Sequence, residues 1–208
     1  MYKWPLINDN VTESDKEALV DFIRTPGVRF TQSKKVREFE KKWSDWVGVK
    51  HSVFVNSGAS ANYIMASILK EKKGTGQVIV PPLGWVSDIA PLVNLGFEPV
   101  FVDVQKNNLS MEPNDIREAV KSADNPVAIV IVHALGFNAL SNEIIKIAKD
   151  NDLLLIEDCC EAHGATFNNK KVGSFGDMSN FSFYFGHHMT TIEGGMVCTN
   201  DDDLYDLI

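Results

Sequence analysis

Two adjacent histidines, His187 and His188, sit inside the run Phe181 to Gly195, preceded by Phe-Ser-Phe-Tyr-Phe-Gly and followed by Met-Thr-Thr-Ile-Glu-Gly-Gly. Neighbouring imidazoles bury little apolar area and cost desolvation, so packing alone accounts poorly for the pair. Either they are exposed or something uses them, and the use an imidazole serves best near neutrality is proton exchange.

Three other stretches carry groups suited to a ligand. Asn56-Ser57-Gly58-Ala59-Ser60-Ala61 joins an apolar run to a helical window. Backbone N–H groups and hydroxyls converge there at the positive end of a helix dipole, which makes a phosphate cradle; tight packing of small residues is the bland alternative. Trp85, in Pro-Pro-Leu-Gly-Trp-Val, follows the next strand, where its indole either stacks on an aromatic ligand or packs against a loop. Glu157-Asp158-Cys159-Cys160-Glu161-Ala162-His163-Gly164 sets acids just after the apolar run Leu153 to Ile156. A carboxylate there suits a protonated ring nitrogen, a cation or the cap of the next segment. Cys159 and Cys160 read as small buried hydrophobes rather than ligands or nucleophiles.

Positioning these groups is the task of a sheet with crossover helices. Short apolar runs at about 52–55, 78–80, 99–102, 128–132 and 153–156 are continuous rather than alternating, as in parallel strands covered on both faces. Helical windows at about 60–72, 86–95, 112–121 and 141–151 separate them, and two further strands follow at about 178–184 and 196–199. The expected fold is α/β, a mostly parallel mixed sheet of about seven strands flanked by helices in three layers. Upstream, Thr12 and Asp15 form a capping-box pattern before Ala18, Leu19, Phe22 and Ile23 at helical spacing, and Pro26-Gly27 ends that helix. A second helix from about Ser33 carries Val36, Phe39, Trp43, Trp46 and Val47 on one face. Both are expected to pack on the core. Lys170 and Lys171 read as a solvated polar turn, and the last eight residues as the opening of a helix, which suggests a fragment.

A net charge of -8 with scattered Lys and Arg disfavours a nucleic-acid partner, which needs a basic stripe, and none is expected. Three cysteines, two of them adjacent, make no disulfide framework and suit a reducing compartment. The first residues show no signal peptide, and the longest apolar run, Pro126 to Ala134, is too short to span a bilayer. The chain is expected to be cytoplasmic, with no membrane partner.

A phosphate cradle, a stacking aromatic, a strand-end acid and a later catalytic group occur in the order used by fold-type I pyridoxal-phosphate enzymes. Through the Gly-Ala-Ser-Ala turn, Glu-Asp-Cys-Cys-Glu-Ala-His-Gly-Ala, Phe-Ser-Phe and Glu-Gly-Gly, nearly the whole chain resembles the DegT/DnrJ/EryC1/StrS sugar aminotransferase family. The resemblance implies that residues 1–208 belong to the cofactor-binding large domain, ahead of a small C-terminal domain. It implies that Gly58, Ala59, Ser60 and Ser182 bind the phosphate of pyridoxal 5'-phosphate, that Trp85 stacks on the ring, and that Asp158 pairs with the ring nitrogen. Glu161 falls where most members carry Gln or His beside the cofactor.

One departure redirects the chemistry. Family members carry a lysine six residues before the Glu matching Glu193, and that lysine holds the cofactor covalently; here the position is His187. An imidazole cannot anchor the cofactor this way, so pyridoxal or pyridoxamine 5'-phosphate is expected to bind without a covalent bond and His187 to move protons. The same change marks the family's sugar 3-dehydratase branch. It implies removal of the C3 hydroxyl from a nucleotide-linked 4-keto-6-deoxysugar, with glutamate as amino donor, in deoxysugar and lipopolysaccharide O-antigen biosynthesis. His188 is the less suited base, being out of register with the lysine. Rival readings are a sugar aminotransferase, the iron–sulphur CDP-sugar 3-dehydratase branch, and a non-catalytic sensor on the same fold. One cluster cysteine of the iron–sulphur branch falls at Cys160, but three cysteines cannot complete a four-cysteine cluster. Family members are dimers that share active sites, which implies a homodimer.

Overall fold

The computed structural model describes residues 10–208; the reading of the first residues as carrying no signal peptide lies outside them. Helix α1 (Glu13–Arg24) opens on the expected capping box, with Asp15 N–H donating to Thr12 Oγ1 and Thr12 N–H to the Asp15 carboxylate. Helix α2 (Lys34–Val47) ends at Gly48, whose φ of 89° places it in the left-handed region. Strand β1 (His51–Val55) leads to α3 (Gly58–Lys73), β2 (Gln77–Val80) to α4 (Val86–Asn94), and β3 (Glu98–Phe101) to α5 (Pro113–Ser122). Strand β4 (Pro126–Val132), α6 (Asn142–Asp150) and β5 (Leu154–Asp158) follow, then the hairpin β6 (Thr166–Phe167) and β7 (Lys170–Lys171), β8 (Met178–Ser182), β9 (Gly195–Thr199) and α7 (Asp202–Tyr205).

Among the described residues seven strands form one sheet in the order β1-β9-β8-β5-β4-β2-β3. Strands β8, β5, β4, β2 and β3 pair in parallel, while β9 is antiparallel to both of its neighbours, so β9 alone runs against the rest. Reversing a single strand keeps the carboxyl ends of the other six on one edge, and α/β sheets place their ligands at that edge.

Both faces are apolar. Ile79, Ile129, Ile131, Leu155 and Phe181 pack against α2, α5 and α6. Their sequence neighbours Val78, Val80, Ala128, Val130 and Ile156, together with Met178, pack against α3 and α4. Because side chains alternate across a strand, covering both faces yields the continuous apolar runs of the sequence. The edge strands β1 and β3 are only partly covered. On the α2 side Trp43 meets Phe183 at 4.8 Å and Phe181 at 5.0 Å, edge to face, an arrangement that adds about 0.5–1.5 kcal/mol per pair beyond area burial.

Two expectations are corrected. Helix α1 buries no residue: Leu19, Val20 and Ile23 are exposed. Its apolar period is real, but on that face only Phe22 is partly covered, its ring edge to face with Phe30 at 6.0 Å between centroids. Lys170 and Lys171 form β7 rather than a turn, which falls at Asn168-Asn169, both left-handed. The ammonium of Lys171 lies over the Trp46 ring, 4.7 Å from its centroid, so it is not simply a solvated charge.

Candidate active site

The apolar run of β5 extends two residues further than the sequence suggests, so the acids after it are strand residues. Alternation then separates them. Glu157 shares a face with Leu155 and points towards the α2 side; Asp158 shares a face with Ile156 and points towards α3 and α4. The same parity sends Asn180 and Ser182 of β8 to the α3 face, opposite Phe181 and Phe183.

On that face Asp158, only 5% exposed, accepts hydrogen bonds from Asn62 Nδ2 at 3.1 Å, Asn180 Nδ2 at 2.9 Å and the Cys160 N–H at 3.0 Å. Asn180 is fully buried, and its Oδ1 has no hydrogen-bond partner among the described residues. At the start of α3, Ser57 caps the helix by accepting the Ser60 N–H at 3.0 Å. No acceptor among the described residues meets the Gly58 or Ala59 N–H, leaving two helix-dipole donors unused. A Cβ on Gly58 would lie 2.8 Å from Ser182 Cβ and 2.9 Å from Cys160 Sγ. Glycine is therefore what lets the helix start, Ser182 and the end of β5 come together.

The histidine pair sits in the loop between β8 and β9, where Ile192 takes φ 72°, strained for a β-branched residue. His187 is half-buried and His188 exposed, so the two are not equivalent. Burial pushes the His187 imidazole below its ordinary value, opposed by the charges of Glu161 and Asp158. Glu161 itself is exposed and accepts the Leu135 N–H at 2.9 Å.

Of the expected site residues, the structure brings Gly58, Asp158 and Ser182 into one cluster, with Ala59 and Ser60 in the first turn of α3, and places Glu161 and Asp158 where their charges reach His187. Trp85 stands apart: its indole is 76% exposed, and only its backbone is tied in, through an N–H bond of 2.8 Å to Asp88 Oδ2. Cys159 is buried and Cys160 half-buried, both free thiols, with burial pushing both well up.

Sequence reasoning passed over Asn62, Asp88, Asn180 and the role of His163. Asn62 falls one helical turn after Gly58, a spacing that puts it on the same face. His163 packs among Trp43, Phe183 and His188 at 5.4, 5.5 and 5.5 Å between ring centroids, and neither ring nitrogen finds a partner among the described residues. Burial first, then His188 and His187, push its pKa down to about 4. The folded state thus binds fewer protons than the unfolded chain, whose histidine titrates near 6.5. Stability is expected to fall from pH ~6.5 to ~4 by about 2–3 kcal/mol through this one group. Denaturant titration at several pH values checks this: the difference between wild type and His163→Phe should grow in the variant's favour on acidification.

Residues 10–208 match the profile of the DegT/DnrJ/EryC1/StrS aminotransferase family. GDP-4-keto-6-deoxy-D-mannose 3-dehydratase of Escherichia coli O55:H7 is 35% identical over 214 residues, covering 100% of this chain and 54% of the relative. GDP-perosamine synthase of Escherichia coli O157:H7 is 33% identical over 202 residues, covering 97% and 54%. Among solved structures, GDP-4-keto-6-deoxymannose-3-dehydratase with a trapped PLP-glutamate geminal diamine matches with a TM-score of 0.90 at 33% identity, over 98% of this chain and 53% of that one. The architecture is that of fold-type I pyridoxal-phosphate enzymes. The chain spans about half the length of these relatives. No described helix is long and apolar enough to cross a membrane.

Proposed function

We propose, from the premise that the chain belongs to the DegT/DnrJ/EryC1/StrS aminotransferase family, that residues 1–208 are part of the cofactor-binding large domain of a nucleotide-sugar 3-dehydratase. Its substrate is a nucleotide-linked 4-keto-6-deoxyhexose, its product the 3-deoxy ketosugar used in deoxysugar and lipopolysaccharide O-antigen biosynthesis. The observation that carries the reading is His187 at the family's lysine position, half-buried and within the field of Asp158 and Glu161.

Pyridoxamine 5'-phosphate fits the residues present. The unused N–H groups at Gly58 and Ala59 and the Ser182 hydroxyl offer donors for a phosphate where a Cβ would leave no room. Asp158, held by three donors, offers the acceptor a protonated ring nitrogen needs. Trp85 supplies an aromatic wall at the same sheet edge. When bound, the cofactor would supply an amine for the 4-keto carbon and an electron sink that lets the C3 hydroxyl leave. His187 would take the C4′ proton, and Asp158 would hold the proton on the ring nitrogen.

The net reaction balances with glutamate: the sugar gives up one oxygen at C3, glutamate becomes 2-oxoglutarate, and its nitrogen leaves as ammonium. We place the protein in the cytoplasm, where its free thiols stay reduced. We also propose a homodimer. Leu83, Trp85, Val86, Leu135, Tyr184 and Ile192 leave the carboxyl edge of the sheet apolar and exposed, as a partner surface would.

The test incubates full-length protein with pyridoxamine phosphate, glutamate and GDP-4-keto-6-deoxymannose. The expected result is one ammonium and one 2-oxoglutarate per sugar that loses its 3-oxygen by mass spectrometry. An aminosugar formed with 2-oxoglutarate but no ammonium would replace this reading with the aminotransferase one.

A further inference from the structure

Asp88 lies in the first turn of α4, seventy residues before Asp158 in sequence, yet the two carboxyls share one amide donor. Asp88, Asn62 and Asp158 are each more than nine-tenths buried. The single Nδ2 of Asn62 reaches Asp88 Oδ1 at 3.0 Å and Asp158 Oδ2 at 3.1 Å, so one buried amide bridges the two carboxyls. The other Asp88 oxygen accepts the Trp85 N–H at 2.8 Å. Gly84 makes room for it, since a Cβ there would fall 2.5 Å from Asp88 Oδ2.

Helix capping alone does not explain this arrangement. An N-terminal aspartate that caps a backbone N–H is ordinary when its carboxylate is solvated. A cap buried against a second carboxylate is not, because two like charges in contact away from water repel each other. The geometry points to Asp88 as a positioning residue of the cofactor slot: one oxygen holds the backbone of the stacking aromatic Trp85, and the other, with Asn62, holds the ring-nitrogen acid Asp158. This rests on the cofactor reading above and adds to it the device that sets the two sides of the ring slot relative to each other.

Two buried carboxyls bridged by one amide repel each other unless one is protonated. Burial, and then the Asp158 charge, push the Asp88 carboxyl up to about 9, so Asp88 is the partner that keeps the proton. Asp158 stays the acceptor, as a ring-nitrogen partner must. The ionisable groups facing Asp88 are Asp158 and the Cys160 thiol, itself pushed up by burial and by both acids. The neutral ones are the Asn62 amide and the Trp85 N–H. Because the folded pKa lies above the unfolded value, this contribution to stability is fully present at low pH and is lost as pH rises towards 9.

Asparagine at position 88 would keep the Trp85 link through its amide oxygen, while its NH₂ would face the Asn62 NH₂ and lose that link. Alanine keeps neither. Pyridoxal phosphate binding to full-length protein, followed by cofactor fluorescence and by the circular dichroism the bound ring acquires, should weaken about tenfold or more in Asp88→Ala. It should weaken clearly less in Asp88→Asn, which keeps the Trp85 link. Independently of any cofactor, the infrared spectrum at neutral pH should contain a protonated-carboxyl C=O band that Asp88→Asn abolishes.

Native affinity and native dichroism in Asp88→Ala would overturn this inference and leave the cofactor reading standing. So would the absence of that infrared band in wild type. Wild-type protein that binds no pyridoxal phosphate at all would overturn both.

Discussion

Replacing His187 by asparagine is expected to lower the rate of 3-deoxygenation by about 10²–10⁴-fold, the usual contribution of a positioned acid–base group. Pyridoxamine phosphate affinity should change little, because the anchoring groups proposed for it lie on α3, β5 and β8 rather than on the His187 loop. His188→Asn, altering an exposed ring one residue out of register, should cost less than about tenfold. The pH profile gives the sign. Neutral imidazole is the base, and burial lowers the His187 pKa, so the acid limb of the rate should lie below the ordinary histidine value. Borohydride added to wild type with pyridoxal phosphate should trap no lysine adduct. Efficient trapping at one lysine would remove His187 from its role, and so would full activity in His187→Asn.

How much of this was legible before the structure depends on the range of the signal. Strand and helix windows were read from local periodicity, and every main-sheet strand lies within about three residues of its expected bounds. The small-residue turn that opens α3 is legible for the same reason: Ser57, Gly58 and Ser60 are neighbours, and such a strand-to-helix turn is a local pattern. Periodicity gives which residues of a helix share a face but not what covers that face. This is why α1, with a good apolar stripe and a good cap, reads as a core helix and yet buries no residue. Glu157 and Asp158 were read as one acidic cluster after a strand. Two residues more of β5 turn them into groups on opposite faces with unrelated partners.

The groups that were missed are held by long-range pairing. Asn62, Asp88 and Asn180 come from α3, α4 and β8 and gather around Asp158 of β5, itself an expected site residue. Each is unremarked alone, because an Asn in a helix or an Asp in a first turn is common. Only the parallel order of the sheet makes them one network. The same holds for Lys171, whose ammonium reads as solvent-facing until the hairpin brings it over Trp46.

The largest expected loss of stability belongs to Glu157, which the cofactor reading does not use. Its side chain is fully buried on the α2 side of β5. One oxygen accepts the N–H groups of Phe175 and Gly176 at 2.8 and 2.6 Å, and the other accepts the Gly173 N–H at 2.7 Å and meets His133 Nε2 at 3.1 Å. His133 Nδ1 already accepts the Ala139 N–H at 3.0 Å, so the ring proton sits on Nε2 and is donated to Glu157. Four donors fill the carboxylate. Although Cys159 brings a third donor atom close enough to suggest a cation site, the Glu157 and His133 lone pairs are already in use.

Glu157→Ala would strand three backbone N–H groups and an imidazole N–H inside the protein, an expected cost of about 3–5 kcal/mol by denaturant unfolding. Glutamine should be nearly as costly, since its amide NH₂ must face donors in either orientation. Glu157 and Asp158 are consecutive in β5, so loosening the segment 173–176 from the strand should move Asp158 as well. Glu157→Ala is therefore expected to lose stability and pyridoxal phosphate affinity together, while Asp158→Asn, which keeps side-chain volume, should lose affinity with a much smaller effect on unfolding. Equal unfolding midpoints for wild type and Glu157→Ala would show that the 173–176 segment is held by something other than this carboxylate.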